Sequence, residues 1–128
     1  MNYYFSKTLE TSFDEAVKKI TEALKTESFG VVSDINMHEK FKEKLNVDFK
    51  RYKILGVCNP SYAYKAIQAE DKIGTMLPCN VLVIEQEKNK IEIAAVNPIA
   101  SFQAITNPAL GDLAKQVTDK LKKIIENI

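Results

Sequence analysis

At 128 residues the chain has the size of one domain and is long enough to bury a core without metal or disulfide staples. Its 45% hydrophobic and 27% charged residues exclude a disordered, fibrous or membrane-spanning composition. Eighteen Lys and Arg against seventeen Asp and Glu leave a formal charge of +1 with the signs interspersed, so no attraction to nucleic acid or to an anionic membrane is expected.

Arg51 is the single arginine, which weakens any phosphate-recognition reading. Lys40, Lys42, Lys44, Lys50, Arg51 and Lys53 are broken up by Glu39, Glu43 and Asp48 and read as a solvated face. Residues 1–7 carry neither the basic start nor the apolar stretch of an export signal. The longest apolar runs, 81–84 and 91–96, are of strand length, far from the roughly 20 residues of a bilayer crossing. A cytoplasmic protein with reduced thiols is therefore expected.

Residues 3–5 open the chain as a short aromatic strand. Ser12 and Glu15 then form a capping box, and Phe13, Val17, Ile20 and Leu24 recur at helical spacing with Asp14, Lys18, Lys19 and Glu22 outside. Residues 29–35 read as a second strand, 37–45 as a short amphipathic helix around Phe41 and Leu45, and 52–58 as a third strand. Asn59-Pro60 supplies a cap and a first-turn proline for a helix over 60–71. Residues 73–78 read as a linker in which Gly74 ends that helix.

Residues 81–84 and 91–96 form a hairpin, with Asn89 suited to the left-handed turn position, and their near-continuous apolar character predicts central strands. Asn107-Pro108 repeats the cap device before a last helix striped by Leu110, Leu113, Val117, Leu121, Ile124 and Ile125. The expected fold is α+β, one domain over 1–128. It has a single mixed sheet of about five strands in the order βαβαβαββα, with helices packed on it.

The distinctive feature is a mirrored pair of motifs, Cys58-Asn59-Pro60 and Pro78-Cys79-Asn80. The stretch from Tyr52 to Pro60, followed by Ala63, Ala66, Ile67, Gly74 and then Leu77-Pro78-Cys79-Asn80-Val81, resembles the domain of unknown function 302 family. The resemblance covers most of the chain and is strongest over 34–98. It implies a small prokaryotic α/β domain that tends to be a homodimer and for which no functional residues are assigned. One departure is Asn36, where the family pattern carries an aspartate after the second strand.

Cys58 sits at a strand end just before a helix N-terminus, where amides and the helix dipole stabilise a thiolate, so it is the better nucleophile candidate. Cys79 opens the next strand and would be its resolving partner. The two can meet if their strands run antiparallel, or if residues 73–78 retrace the helix; parallel strands joined by the helix alone would leave them a strand length apart. The competing reading treats both as small buried hydrophobes, with Asn59 as a cap and Asn80 as a turn residue.

No metal site is expected, because a closed zinc site wants four ligands at short spacing and here there are two distant cysteines and one remote histidine, His38. His38 reads as solvated. No nucleotide-binding or metalloprotease motif occurs, and nothing names a cofactor. The leading expectation is a homodimeric domain, a binding module rather than an enzyme, that takes a small ligand or partner near Asn59 and Asn80, with Tyr62 close by. The alternatives are a thiol-dependent redox or transfer enzyme using Cys58 with Cys79, and a purely structural or interaction domain.

Overall fold

Ser12 accepts a hydrogen bond from the Glu15 amide at 3.2 Å, which satisfies one of the orphan donors that begin every helix, and helix α1 (Phe13–Thr26) starts there. The computed structural model describes residues 2–128. Five strands, β1 (Tyr4–Leu9), β2 (Gly30–Asn36), β3 (Tyr52–Cys58), β4 (Cys79–Glu87) and β5 (Lys90–Val96), form one sheet in the order β1-β5-β4-β3-β2. The remaining helices are α2 (Met37–Leu45), α3 (Pro60–Ala69), a single turn α4 (Pro98–Ser101) and α5 (Pro108–Asn127).

Every neighbouring pair in the sheet is antiparallel. The class is α+β as expected, but the sheet is not mixed. The reason lies in where each connection re-enters the sheet. α1 has fourteen residues, about 21 Å of helix, enough to return along a strand, and it joins β1 to β2, which run in the same direction at opposite edges. α2 has nine residues, about 13 Å, and after residues 46–51 the chain re-enters the sheet as β3, antiparallel beside β2.

Two stripes make the core. Phe13, Ala16, Ile20 and Leu24 of α1 and Leu121, Ile124 and Ile125 of α5 bury against Leu55, Val57, Val81, Val83, Ile91, Ile93 and Ala95 on one face of the sheet. Each fully buried Ile or Leu contributes about 1.5–3 kcal/mol relative to exposure. Lys7, on that same face, donates to the carbonyl oxygens of Glu126 at 3.1 Å and Ile128 at 3.3 Å and so ties β1 to the end of α5.

Residues 73–78 are more ordered than a linker. Asp71–Met76 is a 3-10 turn, and its fully buried Ile73 joins Ala66 and Leu110 in a second small core beneath α3 and the start of α5. α3 accordingly ends at Ala69, short of Gly74. Asn89 takes the left-handed conformation at φ 63° in the β4–β5 hairpin, and both of those strands lie inside the sheet. Among the described residues no helix is long and apolar enough to cross a membrane.

Candidate functional site

The antiparallel pairing of β3 and β4 sets Cys79 opposite Val57, one position away from Cys58. The two cysteines therefore sit at the same end of adjacent strands. Directly opposed residues share a face and successive ones alternate, so Cys79 lies with Val57 on the helix-covered face while Cys58 is turned to the other. Both thiols are free and half-buried. Side chains that diverge in this way cannot close a disulfide without moving the backbone. Mild oxidation of the folded chain should leave two titratable thiols and no 2 Da loss in intact mass.

Cys79 borders an apolar crevice of about 40 Å³ together with Tyr62, Ala63, Leu77 and Phe102. Small-molecule sites have volumes of roughly 300–1,000 Å³, so this is a packing gap. Burial pushes the Cys79 thiol up to about 11, and negative charge on Cys58 adds to the rise. At neutral pH it keeps its proton.

Asn59 occupies the cap position of α3 but makes no side-chain cap bond. It is buried, and its amide donates to the Glu27 carbonyl at 3.2 Å, fastening the start of α3 to the end of α1. Asn97 and Asn107 do cap, accepting from the amides of Ile99 at 3.1 Å and Ala109 at 3.0 Å. All three asparagines donate to a distant carbonyl, Asn97 to that of Asn2 at 3.0 Å and Asn107 to that of Ala69 at 2.9 Å, so Asn59 differs only in that its side-chain oxygen takes no cap amide.

His38 is not solvated. It is half-buried, and its Nδ1 accepts from the Tyr52 amide at 2.9 Å, pinning α2 to the start of β3. Asn36, at the cap position of α2, makes no side-chain cap bond. Among the described residues no three His, Cys, Asp or Glu side chains gather as metal ligands, and every buried side-chain nitrogen or oxygen has a hydrogen-bond partner. The interior holds no orphaned polar group to mark a site, and the remaining candidate is on the surface.

It is the second face of the sheet, away from α1 and α5. Register stacks three rows across it. Tyr52, Ile84, Glu92 and Thr8 form the first. Ile54, Leu82, Ala94 and Ser6 form the second, and Gly56 with Asn80, and Val96 with Tyr4, form the third. These rows floor an open groove of about 430 Å³, with Tyr3 and Tyr4 at one corner and Tyr52 at the opposite one. The rings of Tyr3 and Tyr4 meet edge to face at 4.9 Å, and Phe49 extends the other corner, 6.5 Å from Tyr52. Glu92 accepts from the Gln86 amide at 2.8 Å.

Of the residues singled out in the sequence, Asn80 is exposed in this groove, Tyr62 and Cys79 line the small crevice, Asn59 is locked into packing, and Cys58 stands at a strand end. Sequence reasoning missed Tyr52, Leu82, Ile84, Glu92 and Ala94. The available signal was period-two: Glu92 interrupts an apolar run on the same face as Ala94 and Val96, which marks that face as one that meets water.

The family model described as domain of unknown function DUF302 matches residues 5–128. The crystal structure of an uncharacterized conserved DUF302 protein from Bacillus stearothermophilus is similar throughout, with 28% identity, a TM-score of 0.89 and 98% of each chain covered. No curated protein matches the chain. The family-model match over residues 5–128 and the structural likeness over 98% of each chain lead to one conclusion: the chain belongs to the DUF302 family.

Proposed function

We propose that the chain is a binding domain, a homodimer that holds a small ligand on the open face of its sheet, starting from the Asn80 end of the second cysteine motif. The observation that carries this reading is the groove of about 430 Å³ across three rows of side chains, with an apolar floor, aromatic corners and a few polar groups. That combination of volume and lining is what small-molecule sites share. An antiparallel sheet left uncovered would ordinarily show polar residues there, whereas Leu82, Ile84, Ala94 and Val96 occupy it. Binding is favoured over thiol exchange because Cys79 is half-buried, keeps its proton at neutral pH and faces away from Cys58.

Native mass spectrometry of the purified full chain tests both parts. A dimer carrying a small retained mass is expected, and Leu82→Lys, which places a charge in the middle row, should lose that mass while its circular dichroism is unchanged. A monomer would overturn the assembly. Equal retained mass in both proteins, or none in either, would overturn the groove.

A further inference from the structure

Glu92 is the one acidic side chain lining the groove, half-buried among apolar neighbours. Gln86 holds one of its oxygens at 2.8 Å, and Lys50 donates to the other end of that amide at 2.7 Å. Lys50 is thus turned onto Gln86, and no cation forms an ion pair with Glu92 among the described residues. Two strand spacings, about 10 Å in all, separate Glu92 from Tyr52 in the same row, with Ile84 between them. A cation resting over Ile84 would meet a carboxylate on one side and the Tyr52 ring on the other, and aromatic faces attract cations.

Further along, the second row is apolar at Leu82 and Ala94, and the third ends in Asn80, whose amide both donates and accepts, with Tyr4 at the corner. The rows lie about 6.7 Å apart, so the groove runs about 13 Å from its charged end to its amide end.

Building on the binding reading above, we propose that the open face recognises a small organic amine: a cationic head against Glu92 and Tyr52, an apolar or aromatic body over Leu82 and Ala94, and a hydrogen-bonding group toward Asn80. The charge decides the class. An anionic ligand in this groove would face a carboxylate that no cation pairs, and a neutral one would take water from that carboxylate and leave it only the Gln86 amide.

Three ligands with one ring and different heads separate the possibilities: tyramine, neutral 4-ethylphenol and anionic 3-(4-hydroxyphenyl)propanoate, each titrated into the ¹⁵N-labelled full chain. The amide signals of residues 82–84 and 92–94 should move. Tyramine should bind at least tenfold tighter than 4-ethylphenol, and the acid weakest. Glu92→Gln should bring tyramine down to the level of 4-ethylphenol, while 4-ethylphenol, which no longer desolvates a carboxylate, should bind no more weakly than to the native chain. Equal affinity of the amine and the neutral phenol for the native chain, or tyramine affinity unchanged by Glu92→Gln, would overturn the amine preference and leave the binding face standing. If none of the three moves these amides, the amine preference and the binding face fall together.

Discussion

Alanine at Gly56 is expected to lower the free energy of unfolding by about 2–3 kcal/mol. A Cβ built there lies 2.7 Å from Cγ of Pro78 and collides with the Ser33 hydroxyl. The hydroxyl can rotate away, but the proline ring is closed onto its own backbone and cannot. No glycine in the chain has a positive φ, so the position demands space rather than an unusual backbone. Gly56 pairs with both Ser33 and Asn80 inside the sheet, where a shift of one strand is passed to its neighbours. Urea unfolding of Gly56→Ala alone and in a Pro78→Ala background measures the contact. The loss should shrink by at least 1 kcal/mol once the ring is gone, and strictly additive losses would show that the ring is not the obstacle.

This packing also fixes the form of the candidate site. The Pro78 ring sits over Gly56, and Asn80, two residues on, is opposite Gly56 on the same open face. The second cysteine motif therefore shapes one end of the groove through its proline and asparagine, while its cysteine points into the packed side. In the first motif the proline opens α3, the asparagine ties α3 to α1, and neither reaches the groove. The symmetry seen in the sequence does not survive in space: both motifs lie at the same end of adjacent strands, but Cys79 faces the helix-covered side of the sheet and Cys58 the other.

What the sequence made legible was local. The apolar stripe of α1, the nine residues of α2 and the Asn89 turn all lie where periodicity and turn chemistry put them, since those signals depend on neighbours a few positions apart. Strand direction depends on where each connection re-enters the sheet, and the long connection through α3 and the 3-10 turn, which in sequence is compatible with a parallel crossover, returns β4 antiparallel to β3. The groove was harder to see. Leu82, Ile84 and Ala94 look like core residues in any window of the chain, and only the count of striped helices shows that one face lacks a cover: α1 and α5 bury several residues each, α2 none. Asn59 shows the converse, a local cap signal whose side-chain cap bond does not form, the residue serving instead to tie α3 to the Glu27 carbonyl.

Cys79 gives the chain a stability that fades in alkali. Its thiol is raised from 9.0 to about 11 by burial and, secondarily, by charge on Cys58, so the folded protein holds this proton more tightly than the unfolded chain does. Below pH 9 the proton is bound in both states and the contribution is whole. Between pH 9 and 11 the unfolded chain ionises while the folded one does not, which favours unfolding, and the contribution is gone once the folded thiol also titrates. Two units correspond to about 2.7 kcal/mol. A Cys79→Ala variant removes this thiol together with its coupling to Cys58 and leaves the other groups in place, so the difference between the two proteins reads the thiol and that coupling. Near pH 7 the variant should be less stable by about 1 kcal/mol, the loss expected for a small buried group. By pH 11 that order should have reversed, read from urea midpoints under reducing conditions. A difference constant from pH 7 to 11 would place Cys79 in water, and with it would go the main objection to its acting as a thiolate.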